Sequence, residues 1–201
     1  MRITNTIKTF CLGCTILALP MTTHKIFAQN QIDVDDFVIV TAPPEGTTEK
    51  EVLLGAPNPH VKIKGEDKTA KFVVDLSKNV LYKYNLQGKP ETAYMIASGK
   101  PETPTTKGVR VVTHTETYPY KTAPWSTKRR RNPGAYGPKI ILLNRIDTKT
   151  GEQSEIGEFI HGNNNFDSLG RYISHGCMRM DNEVIKQLAS EVNRGDIVII
   201  K

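Results

Sequence analysis

The chain has 201 residues, enough for one domain with a sizeable core plus an appendage. Hydrophobic residues make up 38% and charged residues 24%, a balance that excludes a polytopic membrane protein and a disordered chain. The formal charge is +6, yet Arg2, Lys8 and Lys25 lie in the first 28 residues, which hold no acid; taking 3 from 27 leaves 24 basic against 21 acidic residues, a net +3 that argues against nucleic acid as partner and suits an anionic polymer.

Residues 1–28 read as a signal peptide. Arg2 and Lys8 sit around the start of an apolar run from Phe10 to Met21. Twelve residues at 1.5 Å each reach about 18 Å, short of the roughly 30 Å hydrocarbon core, so cleavage after Ala28 is expected and no stable membrane anchor. An uncleaved signal anchor is the alternative. Cleavage removes Cys11 and Cys14 and leaves Cys177 as the mature chain's single cysteine. An exported chain, placed in the periplasm or cell wall, then has a thiol that is buried and inert, paired between chains, or reactive.

Residues 29–67 form a polar lead-in, read as linker or as wrapping for the domain that follows. Residues 36–40 can make a short strand, and Thr48 with Glu51 ahead of Val52, Leu53 and Leu54 is a capping-box pattern. From residue 68 to 201 the chain is strand-rich. Residues 72–76 and 80–84 flank Ser77-Lys78-Asn79 as a hairpin, and residues 92–97, 109–115, 140–144 and 158–160 continue between Gly and Pro. One helix is clear. Asp181 or Asn182 can cap it, Ile185, Leu188, Ala189 and Val192 share a face, and Asn193-Arg194-Gly195 closes it before a last strand at 197–200. The fold class is therefore mainly β, a β-rich α+β. Between Lys121 and Lys139 a loop carries six basic residues, no acid and the only tryptophan, Trp125. It is either a solvated loop or a lid offering Arg forks and a stacking surface to a carboxylate-bearing substrate.

His161-Gly162 and, twelve residues on, Ser174-His175-Gly176-Cys177-Met178-Arg179 concentrate the reactive groups. If residues 173–179 are extended, the period of two puts His175, Cys177 and Arg179 on one face, with Ser174, Gly176, Met178 and Met180 on the other. A thiol with a base and a cation beside it is what nucleophilic acyl transfer requires: the base takes the proton and the imidazolium stabilises the thiolate. Gly176 would let the backbone approach a carbonyl and offer amide hydrogens to an oxyanion, and Arg179 could hold a carboxylate. Two plainer readings compete: a buried core thiol, and a zinc site of His161, His175 and Cys177.

These segments resemble the signature of the L,D-transpeptidase catalytic domain, the YkuD family. Ser98-Gly99 with Thr103-Pro104-Thr105 resembles that family's "TPTG" region, and Asn132-Pro133 to Pro138 its "NPxG" loop. Thr106-Lys107 lengthens the former, Asn163-Asn164-Asn165 replaces a common Thr, and Gly170 to Ile173 fills the approach to the Cys motif. The resemblance implies a β-sandwich or mixed sheets with the helix following the Cys motif. It implies a peptidoglycan enzyme in which Cys177 attacks the third residue of a stem peptide, a diamino acid, releases the terminal D-alanine and passes the acyl group to an amine, a 3→3 cross-link serving wall synthesis and cell shape. His161 would be the base, its ring oriented by the Gly162 carbonyl. His175, Ser174 and Gly176 would shape the thiolate and oxyanion side, and Arg179 would bind substrate or brace the motif. No cofactor is required. Hydrolysis of the thioester (an L,D-carboxypeptidase), attachment of a wall-anchored protein as acceptor, and a non-catalytic wall-binding module are the alternatives.

Overall fold

The computed structural model of the chain describes residues 38–39 and 49–201. The signal-peptide reading of residues 1–28 and the Thr48 cap lie outside the described residues. Runs of Val, Ile and Tyr punctuated by turn residues give β1 (Val38–Ile39), β2 (His60–Ile63), β3 (Glu66–Thr69), β4 (Phe72–Asp75), β5 (Val80–Tyr84), β6 (Pro90–Met95) and β7 (Ser98–Gly99). They continue as β8 (Gly108–Thr117), β9 (Lys139–Ile146), β10 (Gln153–His161), β11 (Tyr172–Ser174), β12 (Met178–Arg179) and β13 (Ile197–Ile200), with helices α1 (Glu49–Leu54), α2 (Lys128–Arg131) and α3 (Asn182–Glu191).

Nine strands form one sheet in the order β1-β6-β5-β4-β13-β8-β9-β10-β12. The last strand in the chain is the seam: β13 pairs parallel with β4 and antiparallel with β8, joining the 72–95 meander to the 108–161 meander. Of the sandwich or mixed sheets expected, the main body is one continuous mixed sheet, with two two-stranded sheets beside it. Its inner face closes around α3, where Val184, Ile185 and Leu188 meet Phe72, Leu81 and Val112 from the strands. Asp181 caps that helix, its carboxylate accepting the Glu183 and Val184 amides at 2.8 and 3.2 Å.

The outer face is covered twice. At one end α1 lays Leu53 on Val73, Tyr82 and Ala93, and the β2–β3 hairpin, closed at its base by Ala70 N–H donating to Pro59 O, is tied down at its turn by Lys64 N–H donating to Thr148 O at 2.8 Å. Residues 49–69 thereby wrap the sheet. At the other end Tyr120, Ala123 and Tyr136 of the 120–138 segment cover Ile140, Leu142 and Phe159. Among the described residues no helix is long and apolar enough to cross a membrane.

Candidate active site

The site lies where β10 and β12 run parallel, on the face turned away from α3. Ile160 pairs with Met178 and both are buried against the helix side, while His161 pairs with Arg179. Period-two alternation therefore sends His161, Cys177 and Arg179 the other way. Residues 173–179 are not one strand, as expected from the alternation, because Gly176 at φ +112 breaks it between β11 and β12. The in–out alternation survives the break: Ser174, Gly176, Met178 and Met180 are buried, His175 is exposed, and Cys177 and Arg179 are half-buried.

The turn that carries the cysteine is clamped from both sides. Ser174 Oγ accepts the Gly176 amide at 3.0 Å and donates to the Cys177 carbonyl at 2.5 Å. Thr105 Oγ1 accepts the Gly99 amide at 2.9 Å and donates to the Gly176 carbonyl at 2.8 Å, and Thr103 Oγ1 donates to the Ser174 carbonyl at 3.2 Å. Gly99 cannot be larger, since a Cβ there would strike the backbone of Thr103 and Thr105. The "TPTG"-like loop is thus a brace for the turn that carries Cys177. These bonds correct two expectations. Ser174 lines the cavity but spends its hydroxyl on holding the turn, and the Gly176 amide, spent on Ser174, is not an oxyanion donor. Among the described residues the amides of His175 and Cys177 donate to no protein group, which leaves them as the donors available to an oxyanion.

His161 is 3% exposed. Its Nδ1 lies 2.6 Å from the Gly162 carbonyl, so Nδ1–H donates there and Nε2 keeps its lone pair. Burial pulls the imidazole down from 6.5 to about 4, with the Arg179 cation adding to the effect and the Gly162 and Tyr136 carbonyls opposing it. The Tyr136 ring leans on the imidazole, with centroids 4.8 Å apart. At Cys177 burial pushes the thiol above its ordinary value; the Phe159 amide opposes this, the Glu158 carboxylate adds to it, and Arg179 and Lys128 oppose it. Both shifts run in the direction that favours the neutral thiol and neutral imidazole over a thiolate–imidazolium pair.

A bulge in β10 lets this strand serve the sulfur. The register with β9 shifts between Glu155 and Phe159, around Gly157 at φ +68. The irregularity turns the Gly157 carbonyl to accept from Cys177 Sγ at 3.8 Å. Behind it the fully buried Arg110 holds Glu158 at 2.9 Å, and Thr106 donates to the same carboxylate through its amide and hydroxyl at 3.0 and 2.7 Å. The Thr106-Lys107 extension has this work: through Thr106 it helps Arg110 hold a carboxylate next to the thiol.

Cys177, His161 and His175 line one cavity of about 370 Å³ with Arg179, Tyr136 and the basic segment. Among the described residues no group of three His, Cys, Asp or Glu side chains is arranged to hold a metal ion. The solvated-loop and lid readings of the basic segment divide between its residues. Arg129 is 12% exposed, paired at 2.6 Å with the buried Glu116 and stacked on Phe159. Arg130 lies 4.1 Å over Trp125, so the stacking surface expected for substrate takes a neighbour from its own chain. Lys128 and Arg131, one helical turn apart, face the cavity.

Residues 69–200 match the family model of the L,D-transpeptidase catalytic domain, YkuD. The chain belongs to that family. A relative in this L,D-transpeptidase family is YqjB of Bacillus subtilis (strain 168), a candidate L,D-transpeptidase, 31% identical over 118 residues that span 57% of this chain and 62% of YqjB. Among solved structures, a mutant L,D-transpeptidase of Enterococcus faecium aligns at 24% identity and a TM-score of 0.48, covering 67% of this chain and 50% of its own. One from Mycobacterium tuberculosis H37Rv aligns at 19% and 0.46, covering 65% and 56%.

One residue of this YkuD domain is read from sequence only as a helix cap and has a larger place. Asn182 Oδ1 accepts the Asn163 amide at 2.8 Å. That amide belongs to the same peptide unit as the Gly162 carbonyl that takes the His161 proton, so Asn182 fixes the plane that fixes the imidazole. Gly137 and Gly162 let it in, since a Cβ on either would strike Asn182 Oδ1. The signal in the sequence is the His161-Gly162-Asn163 run, where a glycine follows a reactive histidine with no turn of its own to explain it.

Proposed function

We propose that the protein is an exported, cysteine-dependent acyltransferase, a peptidoglycan L,D-transpeptidase working outside the cytoplasmic membrane. The observation that carries the reading is the shared cavity: a half-buried thiol, a neutral imidazole presenting Nε2, and two unengaged amides around one turn. With a stem peptide bound, His161 Nε2 takes the Cys177 proton as sulfur attacks the carbonyl carbon. The C–S bond forms, and the oxyanion meets the amides of His175 and Cys177. Collapse breaks the C–N bond, and the departing amine takes the proton from the imidazolium. An acceptor amine then attacks the thioester, loses a proton to His161, and the C–S bond breaks to regenerate the thiol. The cleaved amide is conserved as thioester, so no cofactor enters.

A neutral resting thiol suits an exported enzyme, because a standing thiolate is open to oxidation and alkylation. Ionisation is then coupled to attack, and water displaced by the peptide exposes Arg179 and Lys128 to the developing charge. Family membership and the intact Cys177–His161–His175 set support catalysis over a non-catalytic wall-binding module. Incubating residues 29–201 with a disaccharide tetrapeptide and reading products by mass tests the proposal. A cross-linked dimer is expected; tripeptide alone makes it an L,D-carboxypeptidase, and unchanged substrate overturns the acyltransferase. Replacing Cys177 with Ala should abolish both products.

A further inference from the structure

We infer that Glu158 and Arg110 are positioning residues for acyl transfer, a carboxylate and a guanidinium that fix the β10 bulge on which the Cys177 sulfur rests. The inference rests on the acyl-transfer reading above and adds to that site two residues that do not line its cavity. The sulfur meets the bulge on either side of Glu158: the Gly157 carbonyl accepts from Sγ at 3.8 Å, and the Phe159 amide faces it. The strand ladder does not hold this stretch. Glu155 pairs with Asn144 and Phe159 with Leu142, so residues 156–158 stand opposite Leu143 alone. What the ladder leaves loose, the Glu158 side chain ties.

The tie runs across the sheet. β9 lies between β8 and β10, and Arg110 reaches past it to place Nε and Nη2 on Glu158 Oε2 at 3.2 and 2.9 Å. Oε1 accepts the amide and the hydroxyl of Thr106. The rest of the guanidinium donates to the Val109 and Thr106 carbonyls and to Thr106 Oγ1. Arg110 is fully buried and Glu158 is 8% exposed. A pair so placed is a weak source of stability, because taking two charges out of water costs about what their attraction returns. What it supplies is a fixed place for the strand. Adjacent residues of one loop complete the frame: Thr105 holds the Gly176 carbonyl and Thr106 holds Glu158. Turn and bulge, which meet at the sulfur, are thereby tied to the same point. A misplacement of about 1 Å at a reacting atom can cost about 10²-fold in rate, so slack in this tie appears in acylation rather than in binding.

Glu158→Gln tests this. It keeps the side chain's shape, removes its charge and turns an amide nitrogen toward Arg110 or Thr106, both of them donors. Turnover of a disaccharide tetrapeptide should fall about tenfold in kcat with KM nearly unchanged, the mark of a displaced reacting atom. The pH midpoint of iodoacetamide labelling at Cys177 should drop by about half a unit or more, since a negative charge has left the neighbourhood of the thiol while Arg179, Lys128, Tyr136 and both histidines stay. A purely structural role would move neither the midpoint nor the balance of kcat and KM in protein shown to be folded by circular dichroism. Thr106→Val keeps the ion pair and takes one hydroxyl from the carboxylate; it should lower kcat about threefold with the midpoint unmoved, and it decides the matter if the Gln variant does not fold. A kcat within about twofold of the parent in either folded variant, or an unmoved midpoint in Glu158→Gln, overturns the inference while leaving acyl transfer intact. Unaltered protein that leaves the tetrapeptide unchanged overturns acyl transfer itself and the inference with it.

Discussion

The two walls of the catalytic cavity are built by different physics. The wall of β10, β12 and the 174–177 turn is a backbone construction: ladder pairs, the Ser174 and Thr105 bridges, and the peptide unit pinned by Asn182 hold the Cys177 turn and the carbonyl that meets His161. The opposite wall, residues 120–138, has short helical turns and is held by side chains, chiefly Arg129 on Glu116, Arg130 on Trp125 and the Tyr120–Tyr136 aromatic contact. His161 and Cys177 thus stand where displacement is most costly, and Lys128 and Arg131 where a few side-chain contacts can be rearranged. The two walls should consequently fail in different ways.

The largest separation is expected at His161. Replacing it with Gln should cut the acylation rate about 10³-fold, the usual worth of a general base, as read by intact-mass kinetics. The same variant tests the electrostatics. A histidine at about 4 in the fold and 6.5 when unfolded binds fewer protons folded, so its cost to stability is absent above 6.5 and grows as pH falls toward 4. At 1.36 kcal/mol per unit that gap is about 3 kcal/mol of acid destabilisation. Urea titrations between pH 4 and 7 should show the Gln variant losing less stability than the parent over that window.

On the opposite wall, Glu116→Gln leaves the Arg129 cation without its buried partner and should cost about 3 kcal/mol of stability. Its kinetic mark should be a raised KM with kcat less affected, since the reacting atoms are fixed elsewhere. A kcat loss as large as that of His161→Gln would show that the walls are not separate. A smaller and opposite signature is expected at Asn182. Changing it to Ala should lower kcat about tenfold with KM nearly unchanged, a positioning effect, and Asn182→Asp, which keeps an acceptor oxygen, should restore most of it. The smallest effect distinguishes resting states. Iodoacetamide labelling of Cys177 should rise with pH through a midpoint above the free-thiol value of about 8.5; a midpoint well below it would show a standing thiolate.

Much of the fold is readable from local pattern. The strands 72–76 and 80–84, the α3 face of Ile185 and Leu188 and the Asp181 cap are set by period and propensity within a few residues, and the structure places them there. Less readable is β10: its sequence from Gln153 to Gly157 is polar and glycine-interrupted, and pairing with β9 makes it strand despite this. Helix α2 is invisible as a helix because four consecutive cations have no apolar period. The covering role of residues 49–69 depends on Leu53 finding Val73 and Tyr82, contacts that no local signal encodes.

The sequence by itself determined which atoms can react. One thiol in the 69–200 domain, a His-Gly and a Ser-His-Gly-Cys run restrict the chemistry, because nucleophile, base and cation are properties of side chains, and their in–out alternation follows from a two-residue period that survives even the turn at Gly176. Only the tertiary structure decided how those atoms are poised. Whether Cys177 rests as thiol or thiolate, which amides remain unspent, and which of four adjacent cations face the cavity depend on burial and on partners distant in the chain, and desolvation and hydrogen bonding are set by the assembled surroundings.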